Sequence, residues 1–270
     1  MCGIAGIVGS PDGAQAHAAV TRMLEKLVRR GPDGEGIESW PDAVLGHRRL
    51  SIYDLSSAGR QPMTLSDGST SVVLNGAIYN FMELRKELET RGCVFRSRTD
   101  TEVLLHGYRA WGIDGLLQRI RGMWAFGLWD VREHKLFLVR DRLGVKPLLF
   151  GERSSTLAFA STVPALRAAG FAGELDSRAV AEYLEFGYVT DQRGSTPGWK
   201  NWPPARRSSS AREGESPGAG ATGNCLPPRA AARAAPLGCT TSTRRWTRLS
   251  ASSSRPSGCV WRPMSPLGRY

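Results

Sequence analysis

Cys2 stands directly behind the initiator methionine, at the head of Met1-Cys2-Gly3-Ile4-Ala5-Gly6-Ile7-Val8-Gly9. A small second residue lets an aminopeptidase remove Met1, which would leave a thiol and a free α-amine on one residue. An α-amine has a pKa of roughly 7.7–8.0, so near neutrality a fraction of it is an unprotonated base. A thiol is already a willing nucleophile, and an adjacent base activates it further. Such a terminus carries nucleophile and base together and needs no catalytic histidine. Gly3, Gly6 and Gly9 permit close backbone approach, and Ile4, Ile7 and Val8 predict a buried strand that holds the terminus still.

Cleaving an amide through a thiolate needs a grip on the substrate, a stabilised oxyanion and an aimed attack. Arg49 offers a bidentate partner for a carboxylate. Asn75 and Gly76 offer a side-chain amide plus a backbone N–H, sufficient for an oxyanion hole. Asp100, at a helix start, offers a partner for an ammonium. A free amino acid carries both charges, and one with a side-chain amide is glutamine or asparagine. Each residue also has a plainer reading: Arg49 as a surface cation, Asn75-Gly76 as a hairpin turn, Asp100 as a helix cap. His47 reads as structural.

The elements around these residues are suggested by periodicity. Ala14 to Arg30 predicts an amphipathic helix, with Val20, Met23, Leu24, Leu27 and Val28 on one face. Arg30 to Gly36 reads as a polar loop, Ala43 to Leu45 as a strand, and Gln61-Pro62-Met63 as a loop. Ser71 to Leu74 predicts a short strand ending at Asn75-Gly76. Asn80 is expected to cap a helix from Phe81 to Arg91, and Asp100 to cap the next. Met123 to Asp130 and Lys135 to Val139 read as a hairpin. Leu148–Phe150 and Leu157–Ser161 follow as strands, and Ser177 to Phe186 as a last helix. Hairpins and grouped helices without strict alternation imply an α+β fold with antiparallel sheets.

The net charge of +11 is confined to one end. Residues 1–192 hold 23 Lys/Arg and 23 Asp/Glu, whereas residues 193–270 hold 13 and 2. The last stretch has one Val, four Leu and no Ile or Phe. That is too little apolar surface to offset chain entropy, so 193–270 is expected to be a disordered basic tail and 2–192 the domain. The five cysteines (2, 93, 225, 239 and 259) lack disulfide or C-x-x-C spacing, so no metal site is expected. No apolar run reaches membrane length and no secretory leader is evident, so a cytoplasmic protein with no membrane partner is expected. Basic residues interleaved with Trp199, Trp202, Trp246 and Trp261 leave one other class open, a protein whose tail contacts nucleic acid.

Several motifs bear a family resemblance. Cys2-Gly3-Ile4-Ala5-Gly6, Arg30-Gly31-Pro32-Asp33, His47-Arg48-Arg49-Leu50-Ser51-Ile52, Asn75-Gly76-x-Ile78-Tyr79-Asn80 and Arg140-Asp141-Arg142-x-Gly144-x-Lys146-Pro147 resemble the N-terminal glutaminase domain of glutamine-hydrolysing asparagine synthetases. That is a class II glutamine amidotransferase of the N-terminal-nucleophile hydrolase type, a four-layer αββα sandwich. The resemblance runs from residue 2 to about 192 and implies glutamine as substrate and Cys2 as nucleophile. It implies that Arg49 grips the glutamine carboxylate, with Leu50, Ser51, Ile52 and Tyr53 lining the pocket. Asn75 and Gly76 would form the oxyanion hole, and Asp100 would hold the α-ammonium. Ala77 stands where the family usually has Glu in the amino-group pocket, which touches glutamine affinity more than the chemistry.

Hydrolysis needs no cofactor; ATP and Mg would belong to a synthetase half, whose Ser-Gly-Gly-x-Asp-Ser signature is absent here. Full asparagine synthesis is therefore not expected of this chain. Gly198 to Pro204 reads Gly-Trp-Lys-Asn-Trp-Pro-Pro where the family tends to read Gly-Leu-Glu-Lys-Leu-Pro-Pro. Codons for Leu-Glu-Lys-Leu read one base late can give Trp-Lys-Asn-Trp, so the tail is expected to be an out-of-frame stretch and the synthetase half truncated. A free-standing amidotransferase feeding ammonia to a separate partner is the second enzymatic reading, and a homodimer is left open.

Overall fold

The run after Cys2 forms a strand, as its apolar residues require, and the rest builds outward from it in two sheets. In chain order the elements are β1 (Gly3–Val8), α1 (Gly13–Glu25), β2 (Gly34–Ser39), β3 (Ala43–Arg49), β4 (Met63–Thr64), β5 (Thr70–Ile78), α2 (Phe81–Thr90) and α3 (Thr101–Arg119). They continue with β6 (Gly122–Asp130), β7 (Lys135–Arg140), β8 (Leu149–Arg153), β9 (Thr156–Ala160), α4 (Val163–Ala168), α5 (Ser177–Phe186), β10 (Lys200–Asn201), β11 (Arg206–Ser210) and β12 (Gly218–Ala221). This computed structural model describes residues 1–171, 173, 176–187, 189, 200–201, 206–210 and 218–221. All of these fall in one unit, Met1–Leu226; a second, Pro227–Tyr270, lies outside the described residues.

One sheet has the order β10-β8-β9-β1-β3-β2 and the other β12-β11-β7-β6-β5-β4, with antiparallel pairing throughout. Strand side chains alternate between faces, and here each parity has its own core. On β1, Ala5 and Ile7 pack with Val20, Met23 and Leu24 of α1 and Leu166 of α4. Ile4 and Val8 point the other way, into a shared core with Leu45, Phe159, Val73, Trp129 and Leu138 from both sheets. On the second sheet, Val72, Leu74, Phe126 and Val139 meet Leu84, Leu88, Leu104 and Leu116 of α2 and α3. The layers are therefore helix, sheet, sheet, helix. Fully buried side chains such as Phe159 and Trp129 each contribute about 1.5–3 kcal/mol of burial free energy.

Several local expectations change. The first helix ends at Glu25, followed by turns over 26–30, and Asp12 Oδ1 caps it by accepting from Gln15 N–H at 3.0 Å. β2 starts inside the stretch read as a loop, where Gly34-Glu35-Gly36 carries no apolar mark, and α4 was not foreseen, at six residues too short to show a helical period. Asn75 and Gly76 do not end a strand or make a hairpin turn: β5 runs through them, paired with Ala125 and Trp124 of β6. Neither predicted cap caps with its side chain. Asn80 instead spans to Arg119 O at 3.0 Å and accepts from Arg121 N–H at 2.9 Å, which joins α2 to the end of α3.

Three strands lie beyond residue 192, where no fold was expected. β10 pairs with β8, and β11 pairs with β7 through Arg207↔Val139 to Ser210↔Leu136. An open sheet edge offers main-chain partners whatever the incoming side chains, so a polar, Arg/Ser-rich segment adds there without an apolar pattern. The Trp-containing remainder of the tail lies outside the described residues. No helix among the described residues is long and apolar enough to cross a membrane.

Candidate active site

Parity brings the candidates together. Cys2 precedes β1 on the face of Ile4 and Val8; Arg49 ends β3 on the face of Ala43 and Leu45; Asn75 follows Val73 on β5. All three thus face the seam between the sheets, at one end of it. The β1–β3 register starts at Gly3↔Arg48, so one further step sets Cys2 across from Arg49.

Cys2 is held by the residue after Arg49. Leu50 N–H points at Sγ at 3.4 Å, and the thiol donates to Leu50 O at 3.6 Å. Arg30 Nε donates to Cys2 O at 3.0 Å and pins the terminal backbone. Burial pushes the thiol above its ordinary pKa, opposed by the Leu50 backbone bond and the positive N-terminus. At rest the sulfur is a protonated thiol that needs a base. With Met1 attached, the Cys2 nitrogen is a peptide nitrogen and supplies none. Met1 is 56% exposed, open to removal.

Asn75 is 1% exposed, and neither its Nδ2 nor its Oδ1 has a partner. A buried amide left unpaired costs about 1–3 kcal/mol, a cost expected where a ligand completes the pairing. Gly76 is required by close approach: a Cβ there would sit 2.2 Å from Met123 O and 2.6 Å from Trp124 Cα.

Arg49 Nη1 donates to Ser56 O at 2.7 Å and Nη2 to Asp54 O. Two of its five N–H donors are thereby engaged. Asp100 Oδ2 accepts from Ile78 N–H at 2.8 Å, and burial raises its pKa to about 6. It ties the start of α3 to β5.

A pocket of about 270 Å³ joins these groups, lined by Cys2, Arg49, Asn75, Gly76, Ala77 and Asp100. That volume lies just below the ~300–1,000 Å³ of drug-sized sites and suits a small metabolite. Leu50, Ile52 and Tyr53 also line it. Ser51 does not; its N–H turns away to Asp33 Oδ2 at 2.8 Å. His47 stays apart: fully buried, with Nε2–H donating to Leu74 O at 3.2 Å and its pKa lowered to about 3 by burial, it is neutral.

Residues that sequence reasoning passed over also line the pocket, among them Asp54, Gln61, Thr99 and Lys146. Gln61 Oε1 accepts from Leu74 N–H at 2.6 Å and Nε2 donates to Thr101 Oγ1 at 3.0 Å, bracing β5 beside Asn75. Lys146 is 6% exposed with Nζ 3.2 Å from Met1 Sδ; its backbone is fixed by Asp141 Oδ2 and Arg140 Nε. The Arg140-to-Lys146 motif was the signal available for Lys146. Gln61 gave none, because its role depends on contacts distant in sequence.

The chain matches the family described as glutamine amidotransferase domain over residues 1–218. It is 36% identical over 194 residues to asparagine synthetase [glutamine-hydrolyzing] 1 of Bacillus subtilis, covering 71% of this chain and 30% of that protein. A putative asparagine synthetase [glutamine-hydrolyzing] of Mycobacterium tuberculosis is 37% identical over 211 residues, covering 71% of this chain and 32% of its own length. The chain thus spans about 30% of the length of the curated relatives it matches. Among solved structures, glutamine phosphoribosylpyrophosphate amidotransferase of B. subtilis superposes with a TM-score of 0.63 at 20% identity, covering 83% of this chain and 50% of that one. That likeness concerns the fold, the helix–sheet–sheet–helix sandwich.

Proposed function

Because the chain belongs to the glutamine amidotransferase domain family, related to asparagine synthetases, we propose that it hydrolyses glutamine to glutamate and ammonia through a thioester at Cys2. Removal of Met1 frees the α-amine. Arg49 takes the glutamine α-carboxylate and Asp100 the α-ammonium, which aims the side-chain amide at Sγ. The amine accepts the thiol proton as sulfur attacks the amide carbon. The oxyanion is received by Asn75 Nδ2 and the Gly76 N–H. The amine then returns the proton to the departing nitrogen, ammonia leaves, and water resolves the thioester to glutamate. No step uses ATP, Mg or another cofactor. The carrying observation is Asn75: a buried, unpartnered amide in the same pocket as the thiol.

Cys2→Ala is expected to abolish glutamine hydrolysis in a glutamate-release assay, and so is any fusion that keeps Met1 in place; full activity in either case refutes the mechanism. By similarity to the relatives, we propose that the ammonia serves asparagine formation by an ATP- and Mg-dependent synthetase half, and that the tail past 192 is read out of frame. The coding DNA tests this. A Ser-Gly-Gly-x-Asp-Ser motif in another frame after codon 192 supports it, and its absence from all frames removes it.

A further inference from the structure

The two charged ends of the pocket sit on separate elements, Arg49 at the end of β3 and Asp100 at the start of α3, and one side chain links the loops beside them. Asp54 Oδ2 accepts from Arg98 N–H at 3.0 Å, two residues before Asp100. Its Oδ1 accepts from Ser56 N–H at 2.9 Å and Ser56 Oγ at 2.6 Å. The main-chain carbonyls of the same two residues, Asp54 and Ser56, receive the Arg49 guanidinium. On the far side, the Glu102 carboxylate accepts from Arg96 N–H, Ser97 N–H and Ser97 Oγ at 2.6–2.9 Å and fixes the strip that leads to Asp100. Gly59 closes the gap: a Cβ there would lie 2.1 Å from Arg49 Nη2 and 2.9 Å from Thr99 Cγ2. The loop otherwise has little to hold it, since Ile52 and Leu55 are 71% and 82% exposed.

We propose that Asp54 is a positioning residue that locks Arg49 and Asp100 at one spacing, so that the pocket measures the distance between the two charges of an α-amino acid. This rests on the pocket being a glutamine site. Its hydrogen bonds hold the Asp54 carboxyl down at about 2, so it stays ionised through the working range. Misplacing a substrate-gripping group by about 1 Å costs up to a hundredfold, and here both grips shift together when the link is cut.

Asp54→Asn keeps an oxygen for Ser56 but turns an N–H₂ toward the Arg98 N–H. Two readouts are needed, both on the full chain. Amide hydrogen exchange without substrate is expected to speed up at residues 96–100 and 54–57 while β1 and β5 stay protected. KM for L-glutamine is expected to rise about tenfold with kcat within threefold. Ser56→Ala, which removes one of the bonds to Asp54, is expected to move both readouts the same way by less. Unchanged exchange at 96–100 overturns the lock whatever the activity. Faster exchange with unchanged KM, or kcat falling as far as kcat/KM, overturns its role in substrate placement. Wild type hydrolysing no glutamine, with the exchange effect present in Asp54→Asn, refutes the glutaminase reading and leaves the lock as architecture alone.

Discussion

Asp100 and His47 are buried ionisable groups whose shifts oppose each other. Asp100 is raised from 3.8 to about 6, so the folded state holds a proton that the unfolded state has lost, and its contribution falls as pH rises through that window. His47 is lowered from 6.5 to about 3, so the unfolded state holds the extra proton, and its contribution rises with pH between those values. Between about 4 and 6 the two slopes cancel. Asp100→Asn removes one of them. The variant is expected to be more stable than wild type at pH 7, by about 3 kcal/mol at most, and to lose stability more steeply than wild type on acidification from 6 to 4, by about 1 kcal/mol per pH unit. Denaturant midpoints across pH measure this; a variant whose slope between pH 6 and 4 equals that of wild type contradicts it. The same substitution is expected to raise KM for glutamine, as is acidifying wild type through pH 6. Cys2, Arg49, Asn75 and Asp100 were legible from residue type because each carries a group its proposed task demands. Asp54 and Gln61 were not, because what matters is which distant N–H each one meets.

β5 shows what period can and cannot reveal. Its β-branched start announced a strand, but Asn75-Gly76 carries the strongest short turn signal and hid the continuation to Ile78. The neighbour decides: β6 approaches so closely at Met123 and Trp124 that only glycine fits at 76. Gly76→Ala is expected to destabilise the fold by about 2–3 kcal/mol and to spread β5 from β6, displacing Asn75 as well. A fall in melting temperature together with lost hydrolysis is the expected outcome, and a normal melting temperature contradicts it. α3 makes the complementary point. Its start was read correctly, but Gly112, at φ 67°, kinks the helix where neither length nor spacing predicted a bend.

Across the described residues, hairpins and grouped helices led to the α+β class, and the family resemblance alone implied the sandwich; apolar residues on both parities of β1, β6 and β7 are covered by the facing sheet on one side and helices on the other. The strands past 192 were invisible because main-chain pairing leaves no apolar mark. β11 occupies the outer rim of β7, opposite Leu136 to Val139. A chain cut at 192 would leave that rim bare, a row of free N–H and C=O groups able to template a second copy. Such a fragment is expected to self-associate with rising concentration in light scattering more than one ending at 221, whose edge there is the four-residue β12 rather than the apolar β7; equal behaviour of the two contradicts this. The Arg/Ser segment would then serve as a guard against clumping, whatever reading frame produced it.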